Sequence, residues 1–187
     1  MTDYDSSDQQ QSTAADSRPH GLFTLWMVVA AIVVLLDQLT KWAIMKWVPL
    51  YDKIPVNSFI NITHHQNEGA AFSFLADAGG WQRWFFTLLA LAVSSFIVAW
   101  LWRLRGERQF VLSWALVLVL GGAIGNVVDR IRLGYVVDYI QVLIAGWPFP
   151  SFNVADAAIS VGAVLLIIDA LFISGRSGQS AGSASSG

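Results

Sequence analysis

Two aspartates, Asp138 and Asp156, lie on either side of a short loop within an apolar, glycine-rich stretch, residues 121–160. Ionisable residues are costly beside membrane-grade hydrophobic sequence, so their presence there predicts a functional site. Two carboxyl groups that share a site cannot both ionise cheaply, so one pKa rises and the pair holds a proton between them. One group can then take a proton from water while the other donates to a carbonyl oxygen. This is the chemistry of aspartic amide hydrolysis, and it makes Asp138 and Asp156 the candidate catalytic pair.

The residues around Asp156 also fit a purely structural arrangement. Asn153 precedes Asp156 by three positions at the start of an apolar segment, the spacing of a helix-capping box. The positive end of that helix favours the ionised form of Asp156, which leaves Asp138 as the protonated partner. Asp138 by itself is equally compatible with a surface position after a turn. The residues alone therefore leave a catalytic pair and an ordinary helix cap both open.

Other polar residues occur at helical spacing inside apolar sequence. Asp37 and Lys41 are four positions apart and share a helix face, where such a pair must face protein or water. A structural ion pair that supports the site is the favoured interpretation. Asn126 and Arg130 have the same spacing, with Asp129 on a neighbouring face, and Arg130 offers a rigid fork for a carboxylate, a backbone carbonyl or a lipid phosphate.

The composition is that of an integral membrane protein. Of 187 residues 55% are hydrophobic and only 13% are charged, whereas a soluble domain averages roughly 25% charged residues. Four segments are long and apolar enough to span a bilayer. We expect an all-α membrane protein of four transmembrane helices, over residues 22–48, 84–104, 110–128 and 154–173.

Alternating crossings place the polar residues of the first, third and fourth segments toward one side of the bilayer. Asp169, near the other end of the fourth segment, is the exception, and we expect it to be structural or interfacial. Lysine and arginine are evenly divided between the two sides, so the positive-inside rule does not decide the orientation.

The first connection on the polar side predicts a small β-platform. Residues 49–78 contain short runs rich in β-branched and aromatic residues, which indicate strands above the helices. Gly69 marks a turn or a close backbone approach. The second connection, residues 139–152, carries Pro148 and Pro150, and from these we expect an irregular loop that packs at the interface or acts as a lid.

The ends of the chain differ from its centre. Residues 1–21 are polar and acidic and predict a disordered tail, and residues 175–187 are rich in Gly and Ser and predict a flexible one. One membrane domain over residues 22–174 remains. The chain has no cysteine, which excludes a thiol nucleophile, and no H-E-x-x-H motif. No basic cluster suggests a nucleic-acid partner, and two carboxylates need no metal or cofactor.

Four sequence blocks resemble those of a known family. They read DQLTKW at residues 37–42, QNEGAAFSFL at 66–75, GGAIGNVVDRIRLGYVVDY at 121–139 and FNVADAAISVG at 152–162. These long blocks, in this order, are similar to the signature blocks of the bacterial lipoprotein signal peptidases, signal peptidase II. Glu68 departs from the common threonine of the N-T-G-A-A-F block. Rival interpretations are a small transporter or channel component, a presenilin-type protease, which the missing G-x-G-D block disfavours, and a non-enzymatic scaffold.

The resemblance implies a protein of the bacterial inner membrane, with both termini cytoplasmic and with the β-platform and site periplasmic. We expect it to be a monomer. It implies removal of the signal peptide from prolipoproteins, just before a cysteine that carries diacylglycerol, in contact with membrane lipids. It assigns the catalytic roles to Asp138 and Asp156. The remaining candidate positions, which support the site or bind substrate, are Asp37, Lys41, Asn67, Gly69, Asn126, Asp129, Arg130 and Asn153.

Overall fold

Four long helices and a small sheet make up the computed structural model, which describes residues 20–69, 80–106 and 109–173. All four helices are long and apolar enough to cross a membrane, as the sequence predicted. They are α1 (His20–Trp47), α2 (Trp81–Arg103), α3 (Phe110–Arg132) and α4 (Val154–Ile168). A 3₁₀ turn (Leu104–Gly106) follows α2, and a π-helical turn (Asp169–Ile173) continues α4. The predicted polar tails lie outside the described residues, apart from the two that begin α1.

Two predicted helix boundaries were wrong. The second helix begins at Trp81 rather than near residue 84, and the third continues to Arg132 rather than ending near residue 128. The additional turn of α3 matters for the site because it carries Asp129 and Arg130 as helical residues. Hydropathy underestimates a helix whose last turn is polar, and in this turn Asp129 is buried in the protein.

The third helix is the centre of the bundle. In α3, 67% of its most apolar window is buried, against 11–22% in the other helices. At the end away from the sheet, leucine, valine and tryptophan side chains of α1, α2 and α3 form the apolar core, with Trp26, Leu101 and Leu116 among its most buried members. Burial of each large apolar side chain stabilises the fold by roughly 1.5–3 kcal/mol, and this holds the three helices together there. The charged residues of α3 lie at its opposite end.

The sheet has four antiparallel strands in the order β1-β2-β3-β4. Their bounds are β1 (Lys53–Pro55), β2 (Ile60–Asn67), β3 (Val136–Ile144) and β4 (Trp147–Pro148). The predicted platform between α1 and α2 is present as β1 and β2. The expectation of an irregular second connection was wrong, because β3 occupies much of it; Pro148 and Pro150 follow that strand and do not interrupt it.

Candidate active site

The two aspartates come from different elements and meet at one asparagine. Asp138 lies in β3 and is only 3% exposed, and Asp156 lies in the first turn of α4. The Asn153 Nδ2 donates to Asp138 Oδ1 at 2.7 Å, while Asn153 Oδ1 accepts from the Asp156 backbone N at 2.9 Å. Asn153 N in turn donates to Asp156 Oδ2 at 3.2 Å, which completes the capping box expected from the spacing. One side-chain amide therefore spans the distance between the two candidate catalytic residues.

Asp138 is held from its other side by the end of β2. Asn67 Nδ2 donates to Asp138 Oδ2 at 2.9 Å. The orientation of the Asn67 amide is fixed because its oxygen accepts from the Gly69 backbone N at 2.9 Å. Gly69 has a φ of +104°, and a Cβ there would lie 2.8 Å from the Phe86 ring. Only glycine fits this turn. Gly69 acts on Asp138 indirectly, because its backbone N orients the Asn67 side chain that bonds to Asp138.

The carboxyl group of Asp138 is electrostatically unusual. Burial raises its pKa from 3.8 to about 7, and the nearby Asp156 adds to the rise. The hydrogen bonds from Asn67 and Asn153 and the charge of Lys41 act in the opposite direction. Desolvation disfavours the ionised form more than two amide donors can offset. Asp138 is therefore able to exchange a proton near neutral pH.

A chain of contacts connects Asp156 to a buried ammonium group. Asn126 Nδ2 donates to Asp156 Oδ1 at 2.8 Å, and Asn126 Oδ1 accepts from Lys41 Nζ at 2.9 Å. Asn153 Nδ2 also approaches Asn126 Oδ1, at 3.3 Å. Because its oxygen faces a cation, the Asn126 amide can only present its nitrogen to Asp156. Both oxygens of Asp156 thus accept hydrogen bonds.

Lys41 lies at the centre of a dry ion cluster. Its Nζ is 2.7 Å from Asp37 Oδ2 and 2.9 Å from Asp129 Oδ2, and Asn126 provides a third acceptor. The exposed fractions of Lys41, Asp37 and Asp129 are 1%, 0% and 2%. Burying charges costs several kcal/mol per ion unless every donor is satisfied, and here all three N–H groups of the ammonium have an acceptor.

The two carboxylates of this cluster also hold the backbone on which the candidate catalytic residues lie. Asp37 Oδ1 accepts from the Ala155 N at 3.0 Å, one residue before Asp156. Asp129 Oδ2 accepts from the Val137 N at 3.1 Å, one residue before Asp138. Asp37, which is paired with Lys41, therefore connects α1 to the first turn of α4. This contact is the means by which the pair would support the site.

Gln38 belongs to the same cluster and was not among the predicted site residues. Its Nε2 donates to Asp129 Oδ1 at 2.8 Å and approaches Asp37 Oδ2 and the Gly125 carbonyl, each at 3.2 Å. Its position three before Lys41 places it beside that residue on the helix surface, and this spacing was the available signal. α1 and α3 can come this close because residue 125 is glycine. A Cβ at this position would lie only 2.7 Å from Asp37 Oδ2.

Arg130 differs from the other candidate residues in its contacts. Its guanidinium carbon lies 5.5 Å from the centroid of the Phe86 ring on α2. Its Nε is buried and has no hydrogen-bond partner among the residues that the structure describes. Arg130 stacks on the same aromatic ring that approaches Gly69, so it lines the side of the site that faces α2.

Comparisons with known proteins give a consistent picture. The family model described as signal peptidase (SPase) II matches residues 29–172. The lipoprotein signal peptidase of Acinetobacter baumannii is 50% identical over 155 residues, covering 83% of this chain and 86% of that protein. That of Cupriavidus necator is 49% identical over 163 residues, covering 87% and 90%.

The fold comparison points in the same direction. A solved bacterial membrane enzyme, determined by the in meso method, superposes with a TM-score of 0.68 at 33% identity, covering 79% of this chain and 88% of that one. The family model covers more than half of the chain, and both peptidase relatives are matched over most of their own length. This chain is therefore a multi-pass bacterial membrane protein that belongs to the signal peptidase II family, the lipoprotein signal peptidases.

Proposed function

We propose that this protein is an aspartic endopeptidase that removes the signal peptide from diacylglyceryl-modified prolipoproteins, with Asp138 and Asp156 as the catalytic pair. Removal of signal peptides from prolipoproteins is the activity of the family. The observation that supports the aspartic mechanism is that one residue, Asn153, bonds to both carboxyl groups: its side-chain nitrogen donates to Asp138 and its backbone N donates to Asp156. Asp156 also contributes to the rise in the pKa of Asp138, to about 7, as expected of two carboxyl groups that hold one proton between them.

The roles of the two groups follow from their partners. Asp156 accepts hydrogen bonds on both oxygens from Asn126 and Asn153 and acts as the base that takes a proton from water. Asp138, buried in β3, acts as the acid that protonates the carbonyl oxygen of the scissile amide. The water oxygen bonds to the carbonyl carbon, and the proton on Asp156 then passes to the amide nitrogen. The C–N bond breaks as Asp138 takes a proton back from one of the two hydroxyl groups on that carbon, which restores the starting protonation of the pair. The new amine belongs to the lipid-modified cysteine, and the new carboxyl group belongs to the signal peptide.

Orientation and assembly belong to the same proposal. Four crossings place both ends of the helical domain opposite the sheet. With both termini cytoplasmic, the sheet and the site lie at the periplasmic face of the inner membrane, where water is available for hydrolysis. Among the described residues Asp138 and Asp156 and their hydrogen-bond partners come from one chain, which supports a monomer as the active unit. Arg130 and the surrounding lipids contact the substrate.

The test is cleavage of a diacylglyceryl-modified prolipoprotein by purified Asp138→Asn and Asp156→Asn variants in detergent. Each is expected to lose roughly 10²–10⁴-fold in rate, the usual contribution of one acid–base group. Asp52→Asn, which alters an exposed carboxylate on the platform, is the matched control and is expected to cleave normally. Normal turnover by either site variant would remove the pair from the mechanism. Equal rates on lipid-modified and unmodified precursor would contradict the proposed substrate class.

A further inference from the structure

The hydroxyl group of Tyr139 joins three elements at the back of the site. Tyr139 follows Asp138 in β3 and is only 5% exposed. Its OH donates to Thr40 Oγ1 on α1 at 2.7 Å. The backbone of Val154, the first residue of α4, lies beside this hydroxyl. A single side chain next to Asp138 therefore contacts both the helix that carries the ion cluster and the helix that carries Asp156.

The direction of the Tyr139–Thr40 bond is fixed by the helix. Thr40 Oγ1 lies 2.8 Å from the Leu36 carbonyl and 2.9 Å from the Asp37 carbonyl, and it donates its only proton to them. Its lone pairs remain to accept from Tyr139. Thr40 therefore acts as a fixed acceptor on a rigid helix, and the hydroxyl of Tyr139 cannot reverse its role without breaking a bond in α1.

The same helix also holds the residue next to Asp156. Asp37, three positions before Thr40, accepts from the Ala155 N. A helix leaves its first N–H groups without internal partners. In α4 two of these groups are taken up, by Asp37 at Ala155 and by Asn153 at Asp156, and the Tyr139 hydroxyl lies beside Val154. Tyr139, which follows Asp138, and Ala155, which precedes Asp156, therefore both bond to the same face of α1.

We propose that Thr40 and Tyr139 are positioning residues that set the separation of the Asp138 and Asp156 carboxyl groups through α1. The inference rests on the proposed catalytic pair and adds two residues to it. Coulomb repulsion between two charges falls with distance, so the separation of the carboxyl groups determines how far apart their two apparent pKa values lie. Loss of the Tyr139–Thr40 hydrogen bond lets the two carboxyl groups move apart. Their two apparent pKa values then come closer together, and the pH range in which the enzyme is active becomes narrower.

Other charged groups also face the pair, and the test leaves them unchanged. From α1 and α3 they are Asp37, Lys41, Asp129 and Arg130, and from β2 the titratable residue that stands opposite Asp138 is His65. Tyr139→Phe removes one hydroxyl and no charge at neutral pH. A change in the pH profile of this variant therefore reports on the geometry of the aspartates and not on a lost ion.

The experiment measures kcat and KM on a diacylglyceryl-modified prolipoprotein between pH 4 and 9 for Tyr139→Phe, Thr40→Val and the double variant. We expect kcat to fall about 10-fold with KM unchanged, because misplacement of a reacting group acts on the chemical step. The two limbs of the kcat/KM profile are expected to approach each other by roughly half a pH unit each. The double variant should be no worse than Tyr139→Phe, since both changes break one contact.

Two further variants keep the result interpretable. Tyr135→Phe removes a tyrosine hydroxyl just before β3 and is expected to retain the normal profile. Thr40→Ser keeps the acceptor and is expected to restore activity relative to Thr40→Val, a comparison that remains available if Tyr139→Phe fails to fold.

A lower melting temperature with an unchanged pH profile, additive losses in the double variant, or wild-type kcat would overturn the inference. The same variants distinguish failure of this inference from failure of the proposed function. If only the positioning role is wrong, Asp138→Asn and Asp156→Asn are inactive while Tyr139→Phe is normal. If the proposed catalytic pair is wrong, the aspartate variants themselves are active.

Discussion

Replacing Asp138 with asparagine should make the folded protein more stable at high pH while it removes activity. In the folded state burial raises the pKa of Asp138 from 3.8 to about 7. The native state therefore binds more protons than the unfolded state between these values, and the free energy of unfolding falls as pH rises through this window. Below about pH 4 both states are protonated and the contribution is fully present. Above about pH 7 it has been lost.

The magnitude follows from the same two values. A change from 3.8 to about 7, at 1.36 kcal/mol for each tenfold difference, amounts to roughly 4 kcal/mol. Asp138→Asn removes this term because the amide does not ionise. The amide nitrogen will also face one of the two donors, Asn67 or Asn153, which costs about 1–3 kcal/mol at every pH. We expect the variant to be less stable than the wild type near pH 4 and more stable near pH 8.

The assay is thermal unfolding of the detergent-solubilised protein at several pH values between 4 and 8. The difference in melting temperature between variant and wild type should change by roughly 10 °C over this range, at about 2–4 °C per kcal/mol. Gln141→Leu is the matched control. It breaks the Asn61–Gln141 hydrogen bond between the same two strands without touching an ionisable group, so its effect should be the same at each pH. A difference for Asp138→Asn that does not vary with pH would refute the assignment of a buried, protonated Asp138.

Two further predictions concern the residues that hold the aspartates. Asn67→Ala removes a donor that favours the Asp138 carboxylate, so the pKa of Asp138 should rise and the alkaline limb of the kcat/KM profile should move up by about one pH unit; a limb that stays in place contradicts this. Gly125→Ala places a methyl group 2.7 Å from Asp37 Oδ2 and should lower the free energy of unfolding by about 1–3 kcal/mol. Gly21→Ala, where nothing lies within 4 Å of the added methyl, should have little effect on the melting temperature, and equal losses in both variants would rule out the close contact.

Sequence reasoning succeeded where the signal was local. The four apolar segments are visible because a span in lipid needs a continuous run of hydrophobic residues. The capping box at Asn153 and Asp156 and the pairing of Asp37 with Lys41 follow from fixed spacings of three and four. Gly69 was expected at a turn or a close approach, and the structure places it at both.

Reasoning from the sequence failed where the partner lies far away in the chain. The pairing of β3 with β2 joins residues about 70 positions apart, such as His65 and Asp138, and no local pattern specifies which residues stand opposite each other. Pro148 and Pro150 led to the prediction of an irregular loop, although they follow β3 and lie outside it. The contacts of Gln38 with Asp129 and of Thr40 with Tyr139 join residues separated by about half of the chain. Such contacts are determined by how the helices pack and by the close approach at Gly125.

The pairing of Asp37 with Lys41 inside one helix has a consequence for how the protein reaches the membrane. A segment that carries both a carboxylate and its ammonium partner has no net charge from these two groups when it leaves the insertion machinery. It can enter lipid by itself before any other segment has been made. Asp129 brings an unbalanced negative charge only later in synthesis, when α1 already presents an ammonium group to receive it. From this order of the segments along the chain we expect the buried charges to meet their partners as the protein is inserted.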